Sequence, residues 1–273
     1  MKVYPNDDPD TAAKKAHEDW KKEGWRVIPS PPPKSRTERL DNIPTYKYSK
    51  PELHEAAIVN GYPFFLKYEA EKDMLLTIEN IRESSRILRP PHREEYPYTP
   101  YEFTSEELDE YISRAKNETI DSLYQKAKSI VKKFNDQDEY KQNLLAIDII
   151  WSYFQDKFGT THYIGITGTN GSGKSSMGNT YEAVGFRAVN MTCPSAPNIF
   201  RVLGMIEAGQ CTLVLDESDK ISEDDKIMEI LKTGYEFNKK VTKTNTNNWK
   251  QEWYFTYCLK IIIGEKSPVN TRL

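Results

Sequence analysis

A chain of 273 residues with 38 basic and 41 acidic side chains carries a net charge of -3, which excludes a globally basic nucleic-acid binder and leaves any such contact to a local patch. Its apolar share of 37% and mean hydropathy of -0.74 predict a folded part diluted by polar segments, in one large or two modest domains. Cys193, Cys211 and Cys258 lack C-x-x-C spacing, so neither a disulfide framework nor a zinc site is implied, and the two thiols in apolar runs read as buried structural ones.

The start of the chain lacks the pattern of a signal peptide, and no apolar run approaches membrane-spanning length. The expected setting is soluble, cytoplasmic and reducing, with no membrane contact. Residues 1 to about 50 are polar and broken by Pro29, Pro31, Pro32 and Pro33. One short helix is expected near Thr11–Lys22 and little regular structure otherwise. Tyr62–Ala70 and Met74–Ile81 read as two strands of a hairpin. Leu88 to Phe103, with four prolines among tyrosines, reads as a linker packed on a surface.

Thr104-Ser105-Glu106-Glu107 then opens a helix with an N-cap and an acidic first turn. Thr119–Phe134 and Tyr140–Phe158 carry apolar residues at helical spacing. Residues 104–160 are therefore expected to form a helical collar behind an irregular N-terminal region, 1–103. From His162 the pattern becomes strand–loop–helix alternation. Strands are predicted at Tyr163–Thr167, Arg187–Met191, Thr212–Leu215 and Trp253–Ile263, and helices at Gly173–Ala183, Ala196–Glu207 and Glu223–Asn238. That order predicts an α/β core over 161–273 with a mostly parallel sheet, because parallel neighbours need crossover connections.

Two motifs in this core carry chemistry. Gly168-Thr169-Asn170-Gly171-Ser172-Gly173-Lys174-Ser175 fits G-x-x-x-x-G-K-[ST], a P-loop, between a strand and a helix. There the backbone amides, with Ser176 continuing the helix start, would cradle the phosphates of ATP. Lys174 would reach the β- and γ-phosphates, and Ser175 would hold Mg²⁺. The second motif, Asp216-Glu217, ends an apolar strand 42 positions after Lys174. Asp216 would complete the Mg²⁺ shell and Glu217 would be the base for an attacking water. A base beside the metal-binding Asp favours ATP hydrolysis over phosphotransfer to another acceptor.

A third feature, residues 238–250, is basic and polar, with Asn247-Asn248 and Trp249 near its tip. It reads as a hairpin whose lysines could pair with phosphates and whose tryptophan could stack on bases. The alternative is a solvated surface hairpin.

Together these residues, with Pro194–Gly204 and the "KIIIGEKSP" stretch, resemble helicase-type ATPase domains of replication and mobile-element proteins. These are AAA-like domains related to superfamily-three and primase-associated helicases, and the resemblance covers about residues 140–270. It implies a homo-oligomeric ring that hydrolyses ATP and acts on DNA. By position it makes Lys240, Lys243, Trp249 and Lys250 DNA contacts in the pore. It also puts Tyr254–Ile263 in the place of the sensor strand, although Gly264-Glu265-Lys266-Ser267 replaces the usual polar Asn or Thr. The family continues to an arginine finger and a helical lid, whereas this sequence stops after the sensor strand, so it is expected to be a truncated form. Gly24–Pro29 is similar to the opening of archaeal-type primase–polymerase domains, but no paired carboxylates follow and no primase chemistry is expected. Two other functions fit the motifs: a nucleotide or small-molecule kinase, and a non-hydrolysing module whose ATP state controls assembly.

Overall fold

The computed structural model describes residues 40–42, 46–49, 52–69, 71–83, 86–244 and 251–266. The helix expected at Thr11–Lys22 and the site candidates Trp249 and Lys250 lie outside them. The chain divides into two compact units: one runs to residue 96 and resumes over 100–114, and the other takes 97–99 and the chain from 115 onward.

The first unit contains β1 (Leu40–Asn42), β2 (Tyr46–Ser49), β3 (Glu52–Val59), β4 (Tyr62–Glu69), β5 (Met74–Ile78), β6 (Ile81–Glu83), β7 (Arg86–Arg89) and β8 (Tyr101–Phe103). Strands β2 to β5 form an antiparallel meander, with β8 added parallel to β3, and β1, β7 and β6 form a second sheet. The expected β4–β5 hairpin is present. Strand β3 goes beyond the expected elements, although the sequence carries its signal. Asn60-Gly61 closes the β3–β4 hairpin at φ 51° and 83°, a two-residue turn that needs positive φ and so selects Asn-Gly.

Residues 88–103 are not a linker. They hold the end of β7, a 3₁₀ turn at Arg93–Glu95, and β8. The prolines bound these strands rather than interrupt them, Pro90 following β7 and Pro100 preceding β8. Arg89 grips Glu95 through two hydrogen bonds of 2.7 and 2.6 Å. Helix α1 (Ser105–Ala115) starts with a capping box in which Thr104 and Glu107 exchange side-chain and backbone hydrogen bonds. It belongs to the first unit, where Leu108, fully buried, packs on Ala57, Val59, Phe64 and Leu66.

The second unit runs through α2 (Ile120–Phe134), α3 (Glu139–Ser152), β9 (Tyr163–Thr167), α4 (Lys174–Val184), β10 (Ala188–Thr192), α5 (Ala196–Leu203), β11 (Thr212–Asp216), α6 (Asp225–Thr233), β12 (Lys240–Thr244), β13 (Gln251–Phe255) and β14 (Leu259–Gly264). Four strands make a parallel sheet in the order β10-β11-β14-β9. Strand β14 has neighbours on both sides and is buried along its whole length, which accounts for its nearly unbroken apolar run. Ile166, Val214, Ile261 and Ile263 face Val131, Ala146, Ile149 and Tyr181 of α2, α3 and α4. On the other face Tyr163 donates to the Leu231 carbonyl of α6 at 2.6 Å.

The single strand expected over Trp253–Ile263 is two. β13 pairs with β12 in a separate hairpin and is partly exposed, whereas β14 lies inside the sheet. One straight strand cannot serve a solvated hairpin and a doubly covered core, so the chain turns between them at Thr256–Cys258.

Candidate functional site

At the carboxyl end of β9 the chain passes through Gly168–Gly173 into α4. Gly173 sits at φ 84° and Gly171 at 78°, a left-handed conformation that a side chain would strain. The first-turn amides of α4, on Lys174, Ser175 and Ser176, point out of a positive helix end. Lys174 Nζ bends back over the loop and donates to the carbonyls of Gly168 at 2.5 Å and Thr169 at 2.8 Å. Ser175 is exposed. The Ser176 hydroxyl donates to the Phe134 carbonyl at 2.9 Å, so Ser176 offers the loop its amide rather than its side chain.

Leu213, Val214 and Leu215 are fully buried and hold Asp216 and Glu217 at the carboxyl end of β11. The Glu217 amide donates to Asp216 Oδ1 at 2.8 Å. Glu217 itself takes φ 51°, and its Oε2 accepts a hydrogen bond from the Cys193 thiol at 3.0 Å. This bond, with burial and the charge of Asp216 adding to it, raises the pKa of the Cys193 thiol. Asp219 Oδ1 accepts the amides of Glu265 and Lys266 at 2.7 and 3.0 Å, tying the loop after β11 to the end of β14.

Both motifs line one cleft of about 1300 Å³, which runs from Asn170–Ser176 past Cys193 and Asp216–Ile221 to Gly264 and Glu265. The sheet order explains why. Helix α4 leaves β9 for one face and α6 follows β11 on the other, so their loops part over the end of β14 and open a crevice there. Among the described residues no group of three or more His, Cys, Asp or Glu side chains could hold a metal. The Ser175 hydroxyl and the Asp216 carboxylate both line the cleft, among other hydroxyls and carboxylates. That donor set fits Mg²⁺, which is commonly held by one or two carboxylates plus phosphates and water.

Lys240 and Lys243 lie on β12, outside the cleft. Three positions apart on a strand, they face opposite sides of the hairpin. Lys240 lies over the Phe255 ring at 4.5 Å, on the side shared with Thr242 and the exposed Trp253 opposite it. Lys243 lies over Phe200 of α5 at 5.7 Å, on the side of the buried Val241.

Sequence reasoning missed Cys193 and Asp219. No spacing rule marks Cys193, since only the parallel pairing of Thr192 with Asp216 makes it a neighbour of Glu217. Neither a family model nor a curated protein matches the chain. Among the described residues no helix is long and apolar enough to cross a membrane.

Proposed function

We propose that the second unit is the core of a P-loop ATPase that binds and hydrolyses Mg²⁺–ATP, and that a homo-oligomer of it couples hydrolysis to movement on, or remodelling of, single-stranded DNA. One observation carries the ATPase reading. The glycine loop with Lys174–Ser175 and the Asp216-Glu217 pair line a single cleft at the carboxyl end of a parallel sheet, although β14 separates the strands that carry them.

In this reading the amides from Gly171 to Ser176 receive phosphate oxygens. Lys174 exchanges the carbonyls of Gly168 and Thr169 for the β- and γ-phosphates. Ser175 and Asp216 hold Mg²⁺, which neutralises charge on the phosphates. Glu217 accepts a proton from the water that attacks the γ-phosphorus as the bond to ADP breaks. The Cys193 thiol engages Oε2, which leaves Oε1 to accept that proton. The outward face of the hairpin, with Lys240 and Trp253, offers a charge and an aromatic plane to a nucleic-acid strand.

The test is ATP turnover with and without single-stranded DNA, across a protein titration and at two salt concentrations. Turnover that rises with DNA and with protein concentration supports a ring motor. Glu217→Gln is expected to keep ATP binding and to lose turnover by on the order of 10²–10⁴. Retained turnover in that variant would remove Glu217 from its role. Binding without turnover in the unaltered chain would favour the assembly module instead.

A further inference from the structure

At the opposite end of the sheet from the cleft, Cys211 and Cys258 each stand immediately before the first paired residues of β11 and β14, Thr212 and Leu259. Neighbouring strands run about 4.8 Å apart, inside the range of roughly 4.4–6.8 Å between Cα atoms that a disulfide spans. One buried glutamine clamps the two chains at this level. Gln155 Nε2 donates to the Cys211 carbonyl at 3.0 Å, and Gln155 Oε1 accepts the Leu259 amide at 2.7 Å. Both cysteines are buried, and their places before Thr212 and Leu259, which pair in register, set them side by side on adjacent strands.

Beside them is Lys260, a fully buried lysine on the central strand. Its Nζ donates to the carbonyls of Thr256 at 2.7 Å, Cys258 at 3.1 Å and Gly234 at 3.5 Å, and lies 5.0 Å from the Tyr163 ring. Among the described residues no carboxylate pairs with it. A buried cation without an anion is costly, and a thiolate at Cys258 would supply the missing charge. Burial pushes the Cys258 thiol up, but the Cys211 hydrogen bond and the Lys260 charge outweigh it and bring it down.

We propose that Cys211 and Cys258 are a redox-active pair that closes to a disulfide across the bases of β11 and β14, with Lys260 as the buried cation that favours attack by Cys258. The oxidant is a hydroperoxide, small enough to enter through local opening of the strand ends. The Cys258 sulfur attacks one peroxide oxygen, the O–O bond breaks, and the departing hydroxide takes up a thiol proton to become water. The resulting sulfenic acid is attacked by Cys211, and its oxygen leaves as a second water with the other thiol proton. Two thiols lose two electrons to one hydrogen peroxide.

The full chain carrying Cys193→Ser, which removes the exposed thiol, is treated with hydrogen peroxide, denatured, alkylated and mapped by mass spectrometry. The expected product is one peptide pair joined through Cys211 and Cys258, separated again by dithiothreitol, with a higher thermal midpoint before reduction. Recovery of both residues as alkylated thiols, or as separate oxidised species, would overturn the proposal. Lys260→Met is expected to slow closure on the order of tenfold, and an unchanged rate would overturn the role of Lys260. If that variant does not fold, Cys211→Ser in the same background tests the chemistry. Cys258 must then stop at a sulfenic acid trapped by dimedone, and absence of the adduct counts against the proposal.

Discussion

The Cys193 thiol donates to Glu217 Oε2 at 3.0 Å, and both residues hold left-handed backbone conformations, at φ 50° and 51°. The Cys193 amide adds a 3.0 Å bond to the Asp216 carbonyl. The hydrogen bond to Glu217, reinforced by burial and nearby negative charge, raises the thiol pKa. A raised pKa means less thiolate at a given pH, so Cys193 should alkylate slowly. Glu217→Gln removes the charge, and the rate with iodoacetamide near pH 8 (about half a unit below a free cysteine) should rise severalfold. An unchanged rate would show that the thiol–carboxylate contact does not persist in solution.

Lys174 already makes two hydrogen bonds to its own loop, so phosphate binding there would exchange contacts rather than add them to a free ammonium. Charge-assisted bonds are nevertheless worth about 1.5–3 kcal/mol. Lys174→Ala is expected to weaken ATP binding by on the order of 10- to 100-fold. Titration calorimetry that finds unchanged affinity would exclude the loop as the phosphate site.

Asp216→Asn and Ser175→Ala address the metal. Each should lower ATP affinity measured with Mg²⁺ toward the affinity measured in EDTA, while leaving the EDTA value nearly unchanged. Losses of equal size under both conditions would assign these side chains to direct phosphate or structural contacts instead.

The two lysines of β12 separate by orientation. Lys240 shares the outward face with Trp253, whereas Lys243 lies over Phe200. If the outward face binds single-stranded DNA, Lys240→Ala should reduce the slope of log affinity against log salt by about 0.7, the increment for one phosphate contact. Lys243→Ala should leave the slope unchanged. Equal effects of the two substitutions would contradict the opposed orientations of these lysines.

Gln155 is fully buried and joins three segments. It donates to the Ser152 and Cys211 carbonyls and accepts the Leu259 amide, while its own carbonyl accepts Tyr257 Oη at 2.8 Å. Gln155→Ala leaves buried backbone groups of α3, β11 and β14 without partners. The expected cost is about 3 kcal/mol, a fall of roughly 6–12 °C in Tm. A change within about 1 °C would mean that water replaces the side chain at no cost.

Local chemistry is sufficient for much of this. The glycine loop is legible because G-x-x-x-x-G-K-S restricts both the backbone and the side chains at once, and β9 and α4 lie within a residue of where periodicity puts them. The Asn60-Gly61 turn carries an equally local signal. The division of Trp253–Ile263 into β13 and β14 does not, since both halves are apolar and β-prone, and burial on one or two faces is decided only when neighbours arrive. The same holds for α1, whose capping box fixes its start but not the sheet against which Leu108 packs. Sequence by itself determined where a glycine loop, a lysine and a hydroxyl would stand together at a helix start, because that pattern resides in residue types at short spacing. Only the tertiary structure decided that β14 would enter between β9 and β11, that Cys193 would meet Glu217, and that Cys211 and Cys258, far apart in sequence, would stand before paired residues of adjacent strands. Contacts between strands depend on register and order across the sheet, which no short-range pattern encodes.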